Sequence, residues 1–178
     1  MPSTSTSSAS SPPRRVFVTV GSTRFDKLVS AASSDSLLSV LHALNYTHLT
    51  IQHGQSPRPA LPESGSNANR ITVDTYQYKP SLRGDMDQAD LIISHAGSGS
   101  ILEALRLHKP LIVVVNADLM DNHQLELGSA LHDQGHLVCT SVTNVEDALK
   151  AKKYLSLTPF PDHDPNRFAS FMNSKLGL

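Results

Sequence analysis

Apolar runs alternate with amphipathic runs along most of this 178-residue chain. Short segments rich in β-branched and other apolar residues predict six strands. In chain order, the predicted strands are residues 16–20, 47–52, 70–76, 89–95, 110–115 and 136–140. The first of them, VFVTV, is apolar on both faces, which is typical of a strand buried in a sheet that is covered on both sides.

Helical periodicity occupies most of the segments between these strands. The predicted helices cover 25–44 with an interruption at 30–36, 80–89 with Pro80 placed to begin it, a segment that stops at Lys109–Pro110, a segment that ends near Gly135, then 144–155 and 166–178. Strands that alternate with helices predict an α/β domain with a mostly parallel sheet. Residues 53–69, rich in Gly, Pro and Ser, predict a surface excursion or a flexible functional loop.

Composition limits the classes of function that the chain could have. The length suits one domain at 16–155, preceded by a disordered Ser/Pro-rich tail at 1–15 and followed by a linker and helix at 156–178. A formal net charge of −1 gives no electrostatic case for nucleic acid. Cys139 is the single cysteine, which we interpret as a buried structural thiol in a reducing compartment. No segment has the pattern of a membrane span or a secretory signal.

The turn inside ISHAGSGSILEAL, residues 93–105, is the first candidate site. A glycine-rich turn at a helix start leaves free backbone N–H groups and the positive end of the helix dipole, which together favour a phosphate. Gly97 and Gly99 remove side chains that would block close approach, and Ser98 and Ser100 could add hydroxyl donors. A structural interpretation is equally open, because Ser100 and Glu103 have the spacing of a capping box.

Better-known motifs fit this turn less well. A dinucleotide fingerprint would have a third glycine where this chain has Leu102, and the phosphate loop of nucleotide hydrolases would have a Gly-Lys-Ser/Thr sequence. A hydrolase nucleophile at Ser98 would have flanking glycines in place of Ala96 and Ser100. The turn therefore indicates a place to hold a phosphorylated ligand and does not indicate a catalyst.

The turn at 116–124 is the second candidate site. Asn122, His123 and Gln124 follow a predicted strand end, and amide side chains offer both a donor and an acceptor to sugar hydroxyls. Asp121 and Gln124 also fit a helix cap, so both interpretations stay open. No acid/base pair is evident, since Asp118 and Asp121 resemble ordinary solvated loop carboxylates, and the catalytic residue stays unidentified.

The nine histidines invite a metal hypothesis. His132 and His136 are four residues apart, but the glutamate of the zinc-protease motif is missing and Gly135 lies between them. No metal site is therefore predicted. His95 and His123, which lie inside the two turns, are the better functional candidates.

Three long segments together resemble the cytosolic subunit of the eukaryotic UDP-N-acetylglucosamine transferase family. They are VFVTVGSTRFDKLV, YKPSLRGDMDQADLIISHAGSGSILEAL and KPLIVVVNADLMDNHQLELGSALHDQGH, and the likeness covers about residues 16–140. The resemblance implies a Rossmann-like fold, the donor-binding half of a GT-B glycosyltransferase. It also implies a reaction in which UDP-GlcNAc gives the second GlcNAc to dolichyl-diphosphate-GlcNAc, by inverting displacement and without a metal or other cofactor.

The resemblance also implies roles for individual residues. In the family pattern, Glu103 binds the uridine ribose hydroxyls and Gln124 the hydroxyls of GlcNAc. Arg24 or Phe25 stands where bacterial relatives carry a further glycine, and His95 stands where they often carry arginine. The residues expected to bind the donor are Gly21, Ser22, Ser94, His95, Gly97, Ser98, Gly99, Ser100, Glu103, Asn122, His123 and Gln124.

The expected partners also follow from the resemblance. A separate membrane-anchored subunit would supply the acceptor site and present dolichyl-diphosphate-GlcNAc, recruiting this chain to the cytosolic face of the endoplasmic reticulum. The apolar residues Phe168, Phe171, Met172 and Leu176 could dock that partner or pack on their own domain, and both stay open. The alternatives are a non-catalytic nucleotide-sugar-binding regulatory module and, more weakly, a small hydrolase or dehydrogenase.

Overall fold

The computed structural model describes residues 12–61, 71–116 and 122–162, with the backbone alone at 122–125. Several sequence predictions lie outside these ranges. They concern residues 1–11 of the tail, Asp118, Asp121 and the helix at 166–178.

All six predicted strands are present, with ends that differ from the predicted ones by one or two residues in most cases. They are β1 Arg15–Thr19, β2 His48–Gln52, β3 Thr72–Tyr76, β4 Leu91–His95, β5 Leu111–Val115 and β6 Val138–Ser141. They form one sheet in the order β3-β2-β1-β4-β5-β6, and every neighbouring pair is parallel. The prediction of an α/β domain with a mostly parallel sheet is confirmed.

Six α-helices connect or follow these strands within the described ranges. They are α1 Asp26–Ala32, α2 Asp35–Ala43, α3 Arg83–Gln88, α4 Ser98–Arg106, α5 Asn122–Asp133 and α6 Val145–Ala151. Short 3₁₀ turns flank α6 at Val142–Asn144 and Lys153–Leu155. None of the helices in the described ranges is both long enough and apolar enough to cross a membrane.

Local chemistry explains where the helices differ from the predicted ones. The interruption predicted at 30–36 is a true break, because the Ser34 hydroxyl accepts a hydrogen bond from the Leu37 N–H and so begins α2. The start predicted at Pro80 is wrong, since α3 begins at Arg83. The helix predicted at 144–155 ends at 151, because Lys152 adopts a left-handed conformation with φ of 56°.

Two apolar clusters cover the two faces of the sheet. Alternate residues of β1 divide between them: Val16 and Val18 belong to the cluster beneath α1, α2 and α6, whereas Phe17 belongs to the cluster beneath α3, α4 and α5. Coverage on both faces explains why the central strands are continuous apolar runs with little alternation.

The order of the strands creates a crevice at the carboxyl ends of the two central strands, β1 and β4. From β1 the chain moves outward through β2 to β3, then returns to β4 on the other side of β1. The connections after β1 and β4 therefore diverge, and the carboxyl ends of these two strands form the topological switch point where ligands bind in open α/β sheets.

Candidate functional site

A cleft of about 380 Å³ lies at this switch point. One wall is the loop after β1, at residues 21–23, and the other is the turn after β4 with the first residues of α4, at 95–100. Leu127 of α5 completes the lining. The structure thus brings together seven of the predicted donor-binding residues, namely Gly21, Ser22, His95, Gly97, Ser98, Gly99 and Ser100.

The first turn of α4 lines this cleft with backbone amides that have no acceptor within the helix. Gly97 is the N-cap, with no side-chain cap, and the first intrahelical bond runs from the Ile101 N–H to the Gly97 carbonyl at 3.0 Å. The three N–H groups before Ile101, at residues 98–100, therefore precede the helical ladder. The capping-box hypothesis is wrong, because Ser100 is the third residue of the helix and not its cap.

The two glycines of this turn, Gly97 and Gly99, have different structural roles. A Cβ atom on Gly97 would come within 2.2 Å of Nε2 of His95, so Gly97 is needed for the histidine to pack. A Cβ atom on Gly99 would meet no atom within 4 Å. Open space for a ligand close to the backbone is therefore a property of Gly99, whereas the space at Gly97 is filled by His95.

The imidazole of His95 separates the two walls of the cleft. Its side chain lies between Gly21 and Gly97, since a Cβ on Gly21 would also come within 2.8 Å of the ring. The residue is 8% exposed, and its Nδ1 has no hydrogen-bond partner among the described residues. Burial lowers the pKa of His95, and the backbone of Thr19 opposes that effect in part. The ring is thus neutral at physiological pH and supplies no positive charge to the cleft.

The loop after β1 is held from behind by side chains. Gly21 has a left-handed φ of 61°, and its N–H donates to Oγ1 of Thr19 at 3.1 Å and to Oε1 of Gln52 at 2.9 Å. The Gly21 amide is therefore not available to a ligand. Ser22 is exposed and lines the cleft, and its N–H has no acceptor among the described residues.

The remaining predicted residues lie around the cleft without lining it. Ser94 is fully buried and its hydroxyl donates to the His95 carbonyl at 2.9 Å, so it supports the turn from below. Glu103 is half-buried and lies one helical turn beyond Gly99 and Ser100 on the same face of α4. The roles of Ser94 and Glu103 in donor binding stay predictions.

The candidate sugar-binding residues occupy the first turn of α5. Asn122, His123 and Gln124 lie there, and the structure describes only their backbone. Leu127, which follows one turn later in α5, contacts the cleft, so this helix begins close to it. Their proposed contacts with the sugar stay predictions.

Among the described residues that line the cleft there is no lysine or arginine. An anionic group bound there would therefore be stabilised by main-chain amides and the N-terminus of α4, without a countercharge from these residues. Arg24 is nearby in sequence, but its guanidinium lies 2.8 Å from the Asp26 carboxylate. That side-chain hydrogen bond raises the pKa of Arg24 and lowers the pKa of Asp26. Phe25 is part of the core.

The other histidines and the cysteine discussed from the sequence pack against or bond to the protein itself. His132 Nδ1 lies 3.2 Å from the Leu137 carbonyl, and His136 packs edge-on against Phe160. Within the described ranges, no three His, Cys, Asp or Glu side chains cluster as a metal site would require. Cys139 is half-buried against Gly128, so the predicted burial is only partial, and this burial raises the pKa of its thiol.

Sequence reasoning missed Gln52 and Gly54, which hold the loop after β1. The segment at 53–56 was predicted to begin a surface excursion, yet His53, Gly54 and Ser56 are buried against that loop. The only local signal was a polar residue, Gln52, at the end of an otherwise apolar strand.

Fold and cleft together define a Rossmann-like domain with the fold found in GT-B glycosyltransferases. Residues 15–172 match the model of the glycosyltransferase family 28 C-terminal domain. The chain belongs to this family.

Named relatives agree with this assignment. A Mus musculus protein named UDP-N-acetylglucosamine transferase subunit ALG13 is 50% identical over 131 residues, which are 71% of this chain and 11% of the mouse protein. The Saccharomyces cerevisiae protein of the same name is 33% identical over 185 residues, covering 86% of this chain and 92% of the yeast protein. The match covers 11% of the mouse protein and 11% of the human protein, so this chain spans only about a tenth of their length.

The fold also matches an experimental structure in this group. The solution structure of ALG13 superposes with a TM-score of 0.65 at 29% sequence identity, and the match covers 91% of this chain and 94% of that one. The agreement therefore extends over nearly the whole of a solved relative.

Proposed function

We propose that this chain is the UDP-GlcNAc-binding subunit of a two-subunit transferase. The transferase adds the second GlcNAc to dolichyl-diphosphate-GlcNAc during synthesis of the N-linked glycan precursor. The observation that carries this proposal is the first turn of α4, whose unpaired amides at 98–100 face Ser22 across a cleft at the sheet's switch point. The relatives are named as subunits of a UDP-N-acetylglucosamine transferase, which supports the choice of donor.

The donor would lie across the cleft from α4 to α5. Its diphosphate binds the amides at 98–100 and the Ser22 amide, because these donors face the cleft without acceptors of their own. The uridine ribose lies beside Glu103, one turn further along α4. The GlcNAc ring lies toward the first turn of α5, where Asn122, His123 and Gln124 supply hydroxyl partners.

The predicted donor-binding residues around the diphosphate divide into two groups in this arrangement. Ser22 and residues 98–100 touch the diphosphate. Gly21, Ser94, His95 and Gly97 shape the walls that hold those donors in place, because each of them packs or bonds within the protein.

The reaction would be a direct displacement at the sugar C1 with inversion. The acceptor hydroxyl oxygen forms the new bond to C1 and loses its proton to a general base, while the bond from C1 to the diphosphate oxygen breaks. Negative charge then grows on the leaving UDP, and the amides at the mouth of α4 already point at it, so they stabilise the transition state more than the substrate. No residue of this chain is assigned as the general base.

The acceptor site would come from a membrane-anchored partner subunit at the cytosolic face of the endoplasmic reticulum. The word subunit in the relatives' name supports a partner. The cleft described here has two walls that suit a nucleotide diphosphate, and the acceptor would approach from the partner's side.

A transfer assay with and without the partner tests the proposal. Labelled UDP-GlcNAc and dolichyl-diphosphate-GlcNAc are incubated with the full chain alone, with partner-containing membranes alone, and with both together. Labelled lipid that forms only in the combined sample supports the proposal. Donor binding without transfer in any sample favours the regulatory module, and a full chain and complex that bind no UDP overturn the proposal.

A further inference from the structure

The buried carboxamide of Gln52 is the most completely bonded polar side chain at the carboxyl edge of the sheet. Gln52 is the last residue of β2 and is 1% exposed. Its Oε1 accepts from Oγ1 of Thr19 at 2.5 Å and from the Gly21 N–H at 2.9 Å. Its Nε2 donates to the carbonyl of Gly21 at 2.7 Å and to that of Gln77 at 2.8 Å. A primary amide has two acceptor sites and two donors, so all four are used.

These bonds fix the peptide groups on both sides of Gly21. The same side chain binds the N–H and the carbonyl of Gly21, which holds this residue in its left-handed conformation. With Gly21 turned toward Gln52, the next residue, Ser22, lines the cleft. The orientation of the Ser22 amide is thus set by a side chain that does not itself line the cleft.

Neighbouring contacts tie the loops after β1, β2 and β3 into one unit. Gly54 packs so closely that a Cβ atom would lie 2.5 Å from the Thr23 carbonyl oxygen and 2.7 Å from that of Gly21. The Gln55 N–H donates to the Thr23 carbonyl at 2.9 Å, and the His53 N–H donates to the Tyr76 carbonyl at 2.9 Å. Rotation of the Gly21 peptide would break several of these contacts together, so the loop has one stable conformation.

We infer that Gln52 is a positioning residue for donor binding: through Gly21, its carboxamide aims the Ser22 amide at the donor diphosphate. This inference rests on the proposed function and adds a residue to it. Glutamine is required because it combines two acceptor sites with two donors. A glutamate of the same shape keeps the acceptor oxygen but turns a second oxygen toward the carbonyls of Gly21 and Gln77.

The test is a titration of UDP into the isotopically labelled full chain, followed by the amide resonances of residues 22 and 98–100. In the wild type, all four amides should shift on binding. In Gln52→Glu, the Kd for UDP should rise about tenfold, as expected when hydrogen bonds in the loop are lost. At saturating UDP, the amides at 98–100 should still shift, and the Ser22 amide should no longer do so.

A matched control and a second variant make the result specific. Gln55→Glu introduces the same charge three residues away on an exposed side chain, and its Kd should stay within about twofold of wild type, as for most surface substitutions. Thr19→Val keeps Gln52 but removes the hydroxyl that donates to Oε1 and accepts from the Gly21 N–H, and it should raise the Kd about threefold. This smaller change tests the inference if Gln52→Glu does not fold.

The outcomes separate the inference from the proposed function. If UDP shifts no amide in the wild type, the proposed function fails and the inference fails with it. If the wild type responds, and folded Gln52→Glu or Thr19→Val binds UDP like the wild type with an unchanged Ser22 response, only the inference is overturned.

Discussion

On one side of the cleft, Gly21 is held by a side chain that binds both of its peptide groups; on the other, residues 98–100 begin a helix and have no acceptors for their amides. The first wall uses its hydrogen bonds to hold its own shape. The second wall leaves its donors free, because the first turn of any helix has amides without intrahelical partners. The wall after β1 thus mainly holds the shape of the site and leaves one amide free, that of Ser22, whereas the mouth of α4 leaves three free.

This difference separates two kinds of substitution. A change in the wall after β1 should destabilise the fold and weaken ligand binding together, since packing and hydrogen bonds of the domain depend on that loop. A change at the mouth of α4 should weaken binding while stability is kept. Gly97 is the exception on the α4 side, because its missing side chain makes room for His95.

The largest effect is expected from Gly54→Ala. The new Cβ would lie 2.5 Å from the Thr23 carbonyl oxygen, and φ at this position is 55°, where glycine is favoured. Overpacking and the left-handed conformation together should lower the free energy of unfolding by about 3 kcal/mol. Chemical denaturation measures this, with Gly84→Ala as the control, because a Cβ there meets nothing within 4 Å. Equal stability of the two variants would contradict a tightly packed wall.

Glu103→Ala should weaken UDP binding by about 1–3 kcal/mol, the range for losing a hydrogen bond to a charged group. Glu103 is half-buried and outside the apolar core cluster of α4, so the unfolding midpoint should change little. Isothermal titration gives the affinity, and Glu146→Ala on α6 is the acidic control away from the cleft. Unchanged UDP affinity in folded Glu103→Ala would remove the ribose assignment.

A pair of glycine substitutions separates stability from binding within the α4 wall. Gly97→Ala should lower the free energy of unfolding by about 1–2 kcal/mol, because its Cβ would come within 2.2 Å of the His95 ring. Gly99→Ala should keep or raise stability by up to about 1 kcal/mol, since alanine is the better helix residue and the space is open.

Binding should then distinguish the two alanine variants. Gly99→Ala should still weaken UDP binding, because its methyl group enters the space left for the diphosphate. The destabilisation by Gly97→Ala should shrink in a His95→Ala background, which a double-mutant cycle measures. Additive effects in that cycle would show that His95 does not fill the space at Gly97.

The smallest effect concerns pH. Burial lowers the pKa of His95 in the folded state, so the unfolded chain takes up the proton first as the pH falls. The stability that neutral His95 contributes is fully present above the unfolded pKa of about 6.5 and is lost as the pH falls from there toward the lower folded pKa. Denaturation between pH 7.5 and pH 5 should show a steeper loss for the wild type than for His95→Gln. Parallel curves would contradict this assignment.

The sequence was sufficient for the order of strands and helices along the chain, because the central strands are buried apolar runs and the break before α2 has a capping serine. It was misleading at α4, where Ser100 and Glu103 have capping-box spacing. The strand β4 extends to His95, so the chain turns at Ala96 and Gly97 and the helix begins earlier than that motif suggests.

The support for Gly21 could not be predicted from local patterns. Gln52 is 31 residues from Gly21 and 25 residues from Gln77 along the chain, and only the parallel packing of three strands brings them together. Periodicity describes which face of a strand is buried, but it does not identify which buried polar group bonds to which loop. The family resemblance named Gly21 as a donor-binding residue; Gly21 lines the cleft, and its amide is already bound within the protein.

A structure of the full chain with UDP bound tests the central claim most directly. Diphosphate oxygens are expected at about 3 Å from the amide nitrogens of residues 98–100 and of Ser22. The claim would be contradicted by a nucleotide bound elsewhere while the mouth of α4 stays empty. The smaller cavity of about 180 Å³ beside Lys109 and His136 provides such an alternative location.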